Sequence, residues 1–319
     1  MDQAGTPSAA SHVEAMLRAE LARGDRALGG VAPVLTHMLA SAGHALVNED
    51  VVARLRGMLS DCARQLIAAG QMGPKRSEPD RQSVDNLSDY LAENGPVLSH
   101  LYALAMEGHL TQRLEHRSSI DPVLSPLLQE LIASEQSEIA ELAMTALAAQ
   151  ARFVQSQRRM TLSITDLPAQ LFHMVLESWE SWARTAVLEN GVSSQASTVK
   201  LREEYDEAST RLGLFTRLTG SMRKGVIAGL ELEHAGFALF VTSLASLTRQ
   251  PRDLAILACH ERQAARLALG LRAAGLEAAT IERQFLLLEP SERLPSNMGE
   301  ISPGQAAYLL AQSPAWKGG

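Results

Sequence analysis

The sequence predicts an all-α fold without a sheet, arranged as stacked helix pairs or as one large helical bundle. Three observations carry that expectation. Apolar residues recur at helical spacing along most of the chain, which is the pattern of amphipathic helices. Neither a strand-like alternating run nor a glycine-rich phosphate loop interrupts them. Aromatic residues are only 4%, so the core rests on Leu, Ala, Val, Ile and Met, a set led by good helix formers.

Helical patterning first covers Ser11 to Arg23, Pro33 to Leu46 and Asn48 to Ala69. Asn48 followed by Glu49 and Asp50 suits a helix start, because acidic groups complement the positive end of the helix dipole. Gly70 to Asp80 (GQMGPKRSEPD) holds Gly, Pro and charge but no apolar anchor, and it predicts the main linker. The expected organisation is therefore an N-terminal helical segment over 1–70, a main helical domain over 80–290, and a short helix with a loose tail over 291–319.

Beyond the linker, Val84 to Asn94 precedes the break at Gly95-Pro96. The next helix places Val97, Leu98, Leu101, Tyr102 and Ala105 on one face. Asp121-Pro122 has the form of an N-cap followed by proline at the first helical position. Leu124, Leu127, Leu128 and Leu131 then share a side, Ser134 to Ser137 forms a turn, and Ile139, Leu142, Ala146 and Leu147 resume the stripe. Thr165-Asp166 opens a helix that stops near Asn190-Gly191. Val192 to Thr198 is small and polar, a predicted loop, and a helix follows through Glu203, Glu204 and Glu207. Val226 to Leu247 is the most apolar stretch and predicts a central helix. Pro251 opens the next element and Gly275 closes it. Glu277 to Leu288 is one more helix, and Ser302-Pro303 caps a last one through Leu310.

The totals narrow the function classes. A chain of 319 residues with 46% hydrophobic residues buries a substantial core. The net charge of −7 argues against general nucleic-acid binding, whose affinity comes from Lys and Arg on phosphates. Cys62 and Cys259 lie far apart without a CxxC spacing, which suits a reducing cytoplasm. The first residues lack the basic start and apolar core of a secretion signal. Gly236 to Thr248 is too short for a membrane span, which needs about 20 residues. A cytoplasmic protein without a transmembrane segment is expected.

The stretches DPVLSPLLQELIAS, LAAQARFVQSQRRM and LRAAGLEAATIERQFLLLEP resemble an uncharacterised alphaproteobacterial family, a domain of unknown function with HEAT-like helical repeats. The resemblance covers about half of the chain and rests on pattern alone. It implies helical repeats and a bacterial setting, and it carries over no activity or site residue.

Candidate chemistry is sparse. Glu231 and His234 form one ExxH spacing, a carboxylate and an imidazole one turn apart, but di-iron bundles need two such motifs and two further glutamates. His109 and His116 lie two helical turns apart, as do His37 and His44, too far to ligate one ion without a third element. Gly220 to Gly225 lacks the Lys and Ser/Thr of a phosphate loop. Cys259 and His260 are helix neighbours, which does not give a nucleophile and its base hydrogen-bond geometry. Trp179 and Trp182, at i and i+3, read as core.

Arg152, Arg158 and Arg159, with Gln150, Gln155 and Gln157, decorate a helix end. Arginine forks suit carboxylate or phosphate recognition, although cations there also oppose the negative end of the dipole. The chain is therefore expected to be a non-enzymatic scaffold, adaptor or regulator, acting through a protein partner or self-association with Arg152, Arg158 and Arg159 as the contact and no cofactor. The competing expectation is a helical enzyme or ligand sensor whose site draws on His109, His116, Glu231 and His234.

Overall fold

The computed structural model describes residues 9–40, 49–71, 78–186, 192–260, 263–288 and 298–317. Among these the elements are α1 (Ala9–Gly29), α2 (Val31–Ala40), α3 (Glu49–Gly70), α4 (Arg81–Ala92), α5 (Gly95–Ser118), α6 (Pro126–Ile132), α7 (Ser137–Arg159) and α8 (Ala169–Ala183). They continue with α9 (Ser194–Glu204), α10 (Arg211–Ser221), α11 (Leu232–Thr248), α12 (Arg252–Ala258), α13 (Ala264–Ala273), α14 (Ala278–Leu288), α15 (Pro303–Gln312) and α16 (Pro314–Lys317). The all-α expectation holds: the described residues form no strand, only an isolated bridge between Gln71 and Val192. The Asn48 cap, His44 and the Asn190-Gly191 stop lie outside the described residues.

The chain forms two compact units. Unit 1 comprises Met1–Gly30, Leu110–Glu135 and Thr219–Gly319; unit 2 comprises Val31–His109 and Gln136–Leu218. The Gly70–Asp80 stretch joins α3 and α4, which pack on each other within unit 2.

Unit 2 is built around α3, whose face through Leu55, Met58, Leu59, Cys62, Leu66 and Ile67 is buried. It packs against α4 and α9. Asp80 caps α4 by accepting a bond from Ser83 N, which holds its carboxyl below the ordinary range. Trp179 and Trp182 on α8 stack with ring centroids 5.6 Å apart, and Trp179 donates to Ser197 on α9 at 2.6 Å. Both indoles are core residues. Helix α9 already begins at Ser194, because Ser193 caps it by accepting from Ala196 N, so the predicted loop over 192–198 is mostly helix.

Unit 1 centres on α11 and α13. The single helix expected over Val226–Leu247 is instead broken. Residues Arg223–Leu230 form a 3-10 helix, Glu231 is extended, and the two helical pieces bend by 116°. Gly236 breaks α11 again at φ +68°, where a Cβ would sit 2.9 Å from Ser125 Cβ. Glycine tolerates that left-handed backbone and that close approach. No single described helix is long and apolar enough to cross a membrane.

Helix starts also moved where two capping signals compete. Ser125-Pro126, not Asp121-Pro122, begins α6, with Ser125 accepting from Leu128 N. Asp121 instead accepts from Val123 N and Leu124 N, closing a turn. The element expected between Pro251 and Gly275 is split into α12 and α13.

Candidate functional site

Helix α7 has two different sides. Its inner side carries Ala143, Ala146, Ala149, Gln150, Phe153, Val154 and Gln157, all buried. The opposite stripe, Glu138, Glu141, Thr145, Ala148, Arg152, Gln155 and Arg159, is exposed at every position. Those seven residues are spaced alternately three and four apart, the repeat that keeps side chains on one helical face. Met144 beside the stripe is 53% exposed.

The inner side is fixed by a buried polar network within unit 2. Arg211 on α10 donates to both carboxylate oxygens of Glu107 on α5, at 2.8 and 2.7 Å. The same guanidinium donates to Gln150 Oε1 at 3.1 Å and stacks 3.6 Å from the Phe153 ring centroid. Two-pronged pairing and ring stacking are what a planar guanidinium does and an ammonium does not. An ion pair this deep is costly to desolvate and gains most from good geometry and extra hydrogen bonds; the two-pronged pairing supplies the first and Gln150 one of the second.

The C-terminal end of α7 is clamped by one face of α3. Arg54 donates to Gln157 O at 3.1 Å and to Asp50 at 2.9 Å. Gly57 lets Met160 approach, since a Cβ there would stand 2.5 Å from Met160 Cβ and O. Asp61 accepts from Leu162 N at 3.1 Å, while Gln65 accepts from Ile164 N and donates to Leu162 O. Met160 itself ends the helix in the left-handed conformation at φ 56°. The arginines at the end of α7 thus stand on a rigid base.

Arg152, Arg158 and Arg159 are all exposed there, and the structure brings them together on about two turns. Among the described residues, Arg152 and Arg159 form no ion pair with any partner, and neither do Glu138 and Glu141.

The histidine candidates are dispersed. His109 Nδ1 lies 3.7 Å from Asp50 in unit 2, and His116 is exposed. In unit 1, His234 Nε2 lies 3.2 Å from Glu130, and Glu231 is exposed at the start of α11. No three His, Cys, Asp or Glu side chains among the described residues form a group able to hold a metal ion.

Two hollows in unit 2 are lined by none of these residues. One, about 20 Å³ and bordered by Phe153, Gln157, Ser163 and Arg211, has room for a water molecule and little more. Gln157 Oε1, buried without a hydrogen-bond partner, makes such a water favourable. The other, about 290 Å³, is a surface cleft of α3 and α4 lined by Arg56, Ser60, Asp85, Ser88 and Asp89.

Both thiols are buried and free of disulfides. Burial, and secondarily Asp61, pushes Cys62 up to about 12, and burial raises Cys259 as well. Reactivity requires the thiolate, a form that burial disfavours at both cysteines.

No family model, curated protein or solved structure matches the chain.

Proposed function

We propose that this protein is a non-enzymatic helical scaffold, adaptor or regulator that works through protein–protein contacts, with the basic end of α7 as its contact surface. One observation carries the reading. Arg152, Arg158 and Arg159 are exposed together on a helix whose opposite side is locked by Arg211, Glu107 and Arg54. The helix backbone beneath them is already ordered, so binding costs only the rotamer freedom of the side chains themselves. Guanidinium chemistry suits carboxylate-bearing partners. The bacterial, cytoplasmic setting and the helical-repeat relationship implied by the sequence resemblance belong to the same proposal.

The test is capture by the full chain from bacterial cytosol, compared with Arg158→Glu combined with Arg159→Glu. The expected result is loss of the captured partner with unchanged far-UV circular dichroism. Equal capture by the two proteins would remove the arginines from the proposal.

A further inference from the structure

We infer that the partner of the α7 face is a second copy of this chain, docked helix against helix in antiparallel fashion about a two-fold axis at Ala148. The inference rests on the reading of α7 as a contact surface and deepens it by naming the occupant.

The argument is charge order along one exposed stripe. The N-terminal part of the stripe is acidic, with Glu138 and Glu141; its centre is neutral and small, with Thr145 and Ala148; its C-terminal part is basic, with Arg152 and Arg159, flanked by Arg158. A surface ordered acid, neutral, base is complementary to itself once turned end for end. A two-fold interface demands this, because residue i then meets residue j and j meets i. With the axis at Ala148, Glu138 of one copy comes opposite Arg158 of the other. Glu141 comes opposite Gln155, between Arg152 and Arg159. Met144 lies along the aliphatic stem of Arg152, and the two Ala148 residues meet where a small side chain permits close approach. A parallel pairing would set like charges against each other at both ends, which is destabilising.

The helix has 23 residues, about 34 Å of seam at its rise per residue. One such seam falls short of the roughly 1,200–2,000 Å² of a standard stable interface. The pairing is therefore reversible and concentration-dependent, not obligate.

Sedimentation velocity of the full chain over a concentration series tests it. The wild-type mass should climb from 34.4 kDa toward twice that value. Arg152→Glu with Arg158→Glu and Arg159→Glu leaves only acidic charges on the face, and Glu138→Arg with Glu141→Arg leaves only basic ones. Each should remain at the monomer mass alone, and an equimolar mixture of the two should regain the doubled mass. The variant that carries all five changes, in which the order of charge is reversed along the whole face, should associate as the wild type does. If one reversal fails to fold by circular dichroism, the five-change variant decides. A wild type that stays monomeric at every concentration overturns the inference, and so does a dimer that either reversal leaves intact. Partner capture that still depends on Arg158 and Arg159 in a strictly monomeric chain would leave the contact-surface reading standing and remove only self-pairing.

Discussion

At the scale of single residues the cysteines give the most direct physical readout. Cys62 lies on the buried side of α3, its Sγ 3.9 Å from Leu162 O, and its acidity is shifted from 9.0 up to about 12. Burial pushes Tyr102 and Tyr205 in the same direction. A thiol that holds its proton more tightly when folded stabilises the fold fully below pH 9, and that contribution is lost as pH rises through the folded value near 12. The urea midpoint should therefore fall progressively above pH 9, and Cys62→Ala should flatten part of that fall. Rapid modification of Cys62 in the native protein at mildly alkaline pH would contradict this account.

At the scale of elements, α7 and α5 depend on the Glu107–Arg211 pair. Glu107→Ala leaves Arg211 buried without its counter-charge, a change that costs about 3–5 kcal/mol. Replacing both partners with apolar residues should cost markedly less than the sum of the single changes, a coupling that a double-mutant cycle in urea reads directly. Additive losses would mean that the pair is not coupled. The sequence made parts of this scale plain. Ser302-Pro303 starts α15 as expected, with Ser302 and Gln305 bonded reciprocally, because a cap is written within four residues. Arg152 to Arg159 could be placed on a helix end for the same reason. The start of α6 is ambiguous in the sequence because Asp121-Pro122 and Ser125-Pro126 carry the same local signal; in the fold Asp121 closes a turn, Ser125 caps the helix, and α11 packs on α6 with Gly236 close to Ser125. The break at Glu231 is hidden in the sequence because the run after it, Ala235 to Ala245, is buried on every side and so offers no helical periodicity to mark where the helix begins. Glu107 held a faint signal, a carboxylate among Ala103, Leu104, Leu110 and Leu114. Its partner is 104 residues away, and spacing cannot announce such a pair. The exposure of the whole α7 stripe was likewise beyond a reading of local pattern, since it depends on what the neighbouring helices leave uncovered.

At the scale of the whole molecule, each unit gathers segments distant in sequence, and unit 1 is held by a second buried guanidinium. Arg266 on α13, 1% exposed, donates to Asp25 on α1 and to Ser313 after α15, and Ser313 Oγ donates to Asp25 at 2.7 Å. Gln263 adds a bond to Gly24 O at 2.9 Å. Three segments that are far apart along the chain thus meet on one charge. Folding of this unit requires long loops to close before the contacts form, a demand that slows folding more than it lowers stability. Asp25→Asn leaves the buried charge of Arg266 uncompensated, at a cost of about 3–5 kcal/mol. If the units open separately, amide hydrogen exchange should accelerate in α1, α13 and α15 of unit 1 while α3 and α7 of unit 2 keep their protection. Equal acceleration in both units would mean that the chain unfolds as one cooperative body, and the division would then describe packing without describing stability. Unchanged exchange in α1 and α15 would show that Arg266 does not hold those helices in place. Selective loosening of unit 1 would also leave the α7 face intact, so association of the Asp25→Asn variant should match that of the wild type.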